Sequence, residues 1–114
     1  MKRIEEFLSD LTDEKQKYVQ PIIDYIYREY PNVQFKDKFG PNTIMPSFWI
    51  DDKYIALACR KHYFTIHFSN RDSVKFIKEN YEYSKANVGC VNFPYHRPLP
   101  YILLSVAIDK TLDV

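Results

Sequence analysis

The chain is predicted to fold as an α+β domain, with helices packed on one face of a mostly antiparallel sheet of about five strands. Three observations carry that expectation. Helical and strand-like segments are segregated along the chain rather than alternating strictly. The strand-like segments follow one another through short polar connections, which favours antiparallel pairing. The 114 residues suffice for one hydrophobic core and leave no room for a second domain.

Each element has its own signature. Ile4 and Phe7/Leu8 recur at helical spacing within Lys2–Leu8, and Asp10 and Thr12 offer stop and N-cap chemistry for a second helix, Asp13–Tyr30. That helix carries Tyr18, Ile22, Tyr25/Ile26 and Tyr30 on one stripe and stops before Pro31, while Pro21 is expected to kink it or to mark its start. Val33, Phe35 and Phe39 alternate with polar residues and predict a half-buried strand over Val33–Phe39, turned by Gly40-Pro41-Asn42. Thr43–Ile50 and Tyr54–Arg60 form a hairpin through Asp51-Asp52-Lys53, with Pro46 demanding an edge or a bulge. His62–Ser69 alternates again. Ser69, Asn70 and Asp72 are N-cap candidates for a helix carrying Val74, Ile77 and Tyr81, followed by a strand at Gly89–Phe93 and a helix at Tyr101–Leu112 opened by Pro100.

Composition narrows the function classes. Sixteen basic and fifteen acidic side chains leave a net charge of +1, which gives no global field toward nucleic acid or an anionic membrane. Two acids interrupt the apolar stretch of MKRIEEFLSDL and no window approaches a membrane span, so a cytoplasmic location is expected. Cys59 and Cys90 do not stand at a CxxC or zinc-ligand spacing, and they read as buried reduced thiols. Neither His62, His67 nor His96 pairs with another at metal-ligand spacing, and no GxSxG, P-loop or GxGxxG motif occurs. The distinctive feature is an aromatic content of 17%, with ten Tyr and eight Phe. Each buried Tyr hydroxyl needs a partner, so several Tyr are expected at the surface.

Two places collect residues with binding chemistry. If Phe64, Ile66 and Phe68 face the helices beside Ile55, Leu57 and Cys59, the opposite sheet face carries Trp49, Ala56, Ala58, Tyr63, Thr65, His67 and Asn92. Ala56 and Ala58 would leave a depression bordered by Trp49, Tyr63 and His67, suited to a small ligand or a partner. The second place is the first helix junction, where Glu6, Asp10, Asp13 and Glu14 offer oxygen ligands to a hard cation.

Met45-Pro46-Ser47-Phe48-Trp49, the run Arg60–Phe68 and the segment Val88–Pro100 (VGCVNFPYHRPLP) together resemble the YdhG-like, frataxin-like bacterial domains, a family catalogued mainly as a domain of unknown function. The resemblance spans nearly the whole chain and reads residues 1–114 as one such domain. It implies a frataxin-like α+β fold and, from some relatives, an intracellular iron-chaperone role delivering Fe(II). It implies no enzymatic activity and no cofactor beyond labile iron.

Two functions are therefore expected to compete. One is a non-enzymatic metal-handling protein using Glu6, Asp10, Asp13 and Glu14, with iron or an iron-accepting protein as partner. The other is a small-ligand or protein-interaction module using the open sheet face. An enzyme would need convergent nucleophile and base, for which only Cys59 or Cys90 with a His is on offer.

Overall fold

The structure, a computed structural model, describes residues 2–113. Two helices open the chain, α1 (Ile4–Ser9) and α2 (Asp13–Glu29). Four strands follow in series: β1 (Gln34–Lys38), β2 (Ile44–Ile50), β3 (Lys53–Cys59) and β4 (Tyr63–Phe68). Then come α3 (Arg71–Asn80), β5 (Lys85–Ala86), β6 (Cys90–Pro94) and α4 (Tyr101–Leu112). The sheet has six strands in the order β1-β2-β3-β4-β6-β5, and every neighbouring pair is antiparallel. The two-residue β5 was not expected from the sequence; it holds too few residues for alternation to show, and pairs with the end of β6 through Lys85–Asn92 and Ala86–Val91. No helix of the described residues is long and apolar enough to cross a membrane.

Local chemistry sets the element ends. Thr12 Oγ1 accepts a hydrogen bond from Lys15 N at 3.2 Å to cap α2, and Asn70 Oδ1 accepts from Asp72 N at 2.9 Å to cap α3. Pro21 stands inside α2 without ending it; lacking an N–H, it forfeits one helix bond, to the carbonyl of Lys17. The β2–β3 connection is tight enough that Asp51 adopts a left-handed φ of 55°, a conformation Asp tolerates better than most residues.

Alternation along the strands delivers the core. Cross-strand pairs Phe48–Ile55–Phe68, Leu57–Ile66–Val91 and Cys59–Phe64–Phe93 form transverse rows on one face. All but the half-buried Cys59 are at most 4% exposed. Val19, Ile22, Ile23 and Ile26 of α2, Val74 and Ile77 of α3, and Leu104, Ala107, Ile108 and Leu112 of α4 cover those rows. The predicted helix-facing set is thus the observed one. α1 contributes no fully buried residue; Ile4, Leu8 and the following Leu11 pack against the margin of the core, and the Phe7 ring meets Phe35 edge-on at 6.0 Å.

The tyrosines act as clamps between elements. Tyr18 OH lies 3.2 Å from both the Pro94 and Arg97 carbonyls, Tyr95 OH donates to Arg60 O at 2.7 Å, and Tyr101 OH donates to Tyr18 O at 2.8 Å. Asp109 on α4 accepts from Tyr25 OH at 2.8 Å and from Tyr30 OH at 2.6 Å, fastening α4 to the C-terminal part of α2 and to its C-cap residue.

This last cluster has a pH signature. Burial and the hydrogen bond to Asp109 push Tyr25 up to about 12, and the same causes raise Tyr30. An unfolded tyrosine ionises near 10, so the stability these phenols contribute is complete below about pH 10 and is lost as pH rises through the interval up to their folded values. Denaturant midpoints are expected to fall above about pH 10. Asp109→Ala is expected to cost about 1–3 kcal/mol at neutral pH and to flatten that alkaline decline, as measured by urea titrations at pH 8, 10 and 11.

Candidate functional site

The face of the sheet turned away from the helices carries the predicted residues in aligned rows. Ser47, Ala56, His67 and Cys90 are successive cross-strand partners, as are Ala58, Thr65 and Asn92. Thr65 Oγ1 donates to Asn92 Oδ1 at 2.7 Å. Trp49 is half-buried here, stacked against its cross-strand partner Tyr54 at 4.8 Å between centroids, with Lys36 Nζ 4.5 Å from its ring. Tyr63 is exposed at the end of β4.

The expected depression at Ala56 is not open. Ala56 is fully buried, and the two rings flanking it on this face, Tyr54 and His67, both touch Phe39, at 4.9 and 5.0 Å. Alternation with Val33 and Phe35 includes Phe39 in the predicted half-buried strand Val33–Phe39. It instead follows the end of β1, just before Gly40, and its ring lies on the face of Tyr54 and His67. The chain thus fills its own recess with an aromatic side chain. Ala58, farther along β3, remains half-buried.

The rearrangement begins at Pro46. Between the pairs Lys36–Ser47 and Lys38–Ile44, β1 spends one residue and β2 spends two, Met45 and Pro46, which is a β-bulge. A proline cannot donate to a ladder, so a bulge is where an inner strand can hold one. Ser47 stabilises the irregularity: its buried hydroxyl lies 3.1 Å from the carbonyls of both Lys36 and Lys38 and accepts from Trp49 Nε1 at 2.9 Å. On the other side, β2–β3 pairing ends at Ser47–Ala56, whereas β3 continues beside β4 to Cys59–Phe64.

The departure of β2 from β3 opens a cavity that the sequence did not announce. It has a volume of about 580 Å³, within the range of small-molecule sites. α1 and the following turn roof it with Ile4, Phe7, Leu8 and Leu11. Val19 and Ile23 of α2 form the back, Met45 and Pro46 one side, and Leu57 and Cys59 the floor. Its mouth carries Lys2, Asp10, Arg60 and Lys61. The only sequence signals were Pro46, which marked the bulge, and the consecutive bases Arg60 and Lys61 at the end of β3.

The four acids expected to ligate a cation do not converge. Glu6 Oε1 lies 3.8 Å from Arg3 Nε and accepts from Arg3 N, capping α1. Asp10 is ion-paired with Lys2 at 2.6 Å, and Asp13 and Glu14 occupy the first turn of α2. Among the described residues no group of three or more His, Cys, Asp or Glu side chains is placed to hold a metal ion. The physical reason is that the acids are used locally: Glu6, Asp13 and Glu14 stand in the first turns of their helices, at the positive end, and Asp10, the C-cap of α1, is held by the Lys2 ammonium.

Among the described residues no hydrogen bond joins a thiol to an imidazole. Burial pushes the Cys59 thiol up to about 11, so it is protonated at neutral pH. Cys90 stands across from His67, yet no hydrogen bond joins them, and His67 Nε2 is buried without a partner. Burial, with the charge of Arg60, lowers the pKa of His67 and keeps the imidazole neutral.

No protein-family model and no curated protein sequence matches the chain. A match of fold is found in the crystal structure of YdhG from Bacillus subtilis, a protein of the DUF1801 family. The TM-score is 0.75 at 16% sequence identity, over 92% of this chain and 84% of that one. The expected YdhG-like α+β fold is therefore present, and the likeness is one of fold.

Ser47 links the bulge to the single Trp, and its removal tests that link. Ser47→Ala leaves the Trp49 indole N–H without its acceptor and is expected to cost about 1–3 kcal/mol. It should also shift Trp49 emission to longer wavelength in the native state; an unchanged spectrum and melting temperature would show that the hydroxyl does not hold the bulge.

Proposed function

We propose that the protein is a non-catalytic binding module for a small, largely apolar molecule, held in the cavity beneath α1. The observation that carries this reading is the cavity itself. Its walls are supplied by four separate elements and are predominantly aliphatic, and its volume matches small-ligand sites. α1 suits the role of a cover, since it is six residues long and has no fully buried residue. Its ties to the body include Lys2 N to Asp37 Oδ2 at 2.9 Å and the Phe7–Phe35 contact. Segments held by few buried contacts open at low cost.

The frataxin-like, iron-chaperone reading asks for acids that share a cation, and Glu6, Asp10, Asp13 and Glu14 are engaged separately. A partner surface on the open sheet face has Tyr63, Trp49 and Asn92 to offer, but its recess is occupied by Phe39. Neither alternative has an observation as specific as the cavity.

Titration with 1-decanol, followed by methyl-resolved carbon–proton NMR, tests the proposal. Shifts are expected at Ile4, Leu8, Leu11, Ile23 and Leu57, with the Trp49 indole signal unmoved. Leu8→Trp, at a half-buried position of the roof, fills the space from the surface side and should weaken binding on the order of tenfold or more. Saturable shifts confined to the Trp49 face, or no saturable shifts at all, would overturn it.

A further inference from the structure

We infer that the cavity takes a small amphiphile with an anionic head group, its tail lodged beneath α1 and its charge at the β3–β4 turn. The inference rests on the cavity-binding reading above and adds the sign of the ligand's charge.

The charges at the mouth are unequal. Asp10 is the one acid lining the cavity, and Lys2 Nζ lies 2.6 Å from its carboxylate, so these two cancel. Arg60 and Lys61 are left over. Both are exposed, and neither side chain makes an ion pair among the described residues. Arg60 is anchored by its backbone: its N–H donates to Tyr63 O at 2.9 Å, and its carbonyl accepts from Tyr95 OH at 2.7 Å and Lys15 Nζ at 3.2 Å. The side chain is thereby kept out of the structural hydrogen bonds, while a further ammonium, that of Lys15, is brought to the same turn.

Among the described residues, no negative charge lining the cavity other than that of Asp10, which Lys2 occupies, balances these cations. The lining beyond the mouth is aliphatic, aromatic or hydroxyl-bearing, and the Cys59 thiol stays protonated. Two consecutive basic residues lining an apolar space suit a carboxylate or phosphate with a hydrocarbon tail: the tail leaves water, and the head remains at the surface against charge-assisted donors. A neutral molecule would leave the cations unused, and a cationic one would be repelled.

Decanoate, 1-decanol and decylammonium share one tail and differ in head charge, so they separate the two claims. With the intact protein at low ionic strength and neutral pH, decanoate is expected to bind on the order of tenfold tighter than decanol, with decylammonium weakest. The preference, read as the ratio of the decanol to the decanoate dissociation constant, should shrink as salt is raised and disappear in the Arg60→Ala/Lys61→Ala double variant. Equal affinities for decanoate and decanol, or tightest binding of decylammonium, would overturn the anion assignment and leave the cavity reading intact. Saturable binding of none of the three would overturn both. Salt dependence in the unmutated protein decides the matter independently should the double variant misfold.

Discussion

The architecture depends on burying one face of the sheet. Rows of Phe, Ile, Leu and Val run across β2, β3, β4 and β6, in register and within van der Waals reach of their cross-strand neighbours. At roughly 25 cal/mol for each Å² of apolar surface removed from water, a face of this composition cannot remain exposed, and α2, α3 and α4 supply the matching stripes. Because neighbouring strands are antiparallel, the face is assembled largely from hairpins and short returns. The polar reverse face follows from the same period of two.

Pro46 introduces an irregularity into that sheet. A strand with neighbours on both sides needs its N–H groups, and a proline there forces the ladder to break. The break is contained on the β1 side by a bulge held through Ser47, and on the β3 side it becomes a divergence of strands. The cavity occupies that divergence. The position of Trp49 is tied to the same event, since its indole N–H is satisfied by the hydroxyl that steadies the bulge.

The aromatic residues divide the remaining labour. Phenylalanines fill the core or, in the case of Phe39, the hollow over Ala56. Tyrosines pack with their rings and fasten with their hydroxyls, two of them, Tyr18 and Tyr81, onto the Arg97 and Pro98 carbonyls of the segment between β6 and α4. That segment has no ladder to satisfy its carbonyls, and phenolic donors are well suited to reach it from α2 and α3.

How much of this was legible follows from the range of each interaction. Periodicity and capping are local, so the chain by itself determined the α+β class, the bounds of α4, the cap at Thr12, a cap among Ser69, Asn70 and Asp72, the helix-facing row Phe64, Ile66 and Phe68, and an edge or a bulge at Pro46. Tertiary placement decided the rest. The acids Glu6, Asp10, Asp13 and Glu14 lie near one another in sequence, but helix geometry and the cations of Arg3 and Lys2 turned them to separate tasks. Ala56 promised a recess on the strength of its size, but tertiary contacts set the Phe39 ring against Tyr54 and His67 on either side of it. The cavity drew its walls from α1, α2, β2 and β3, residues far apart in sequence. Alternation shows which side of a strand a residue faces; where two strands part and what then closes over the gap depends on contacts between distant segments, and no local pattern encodes them.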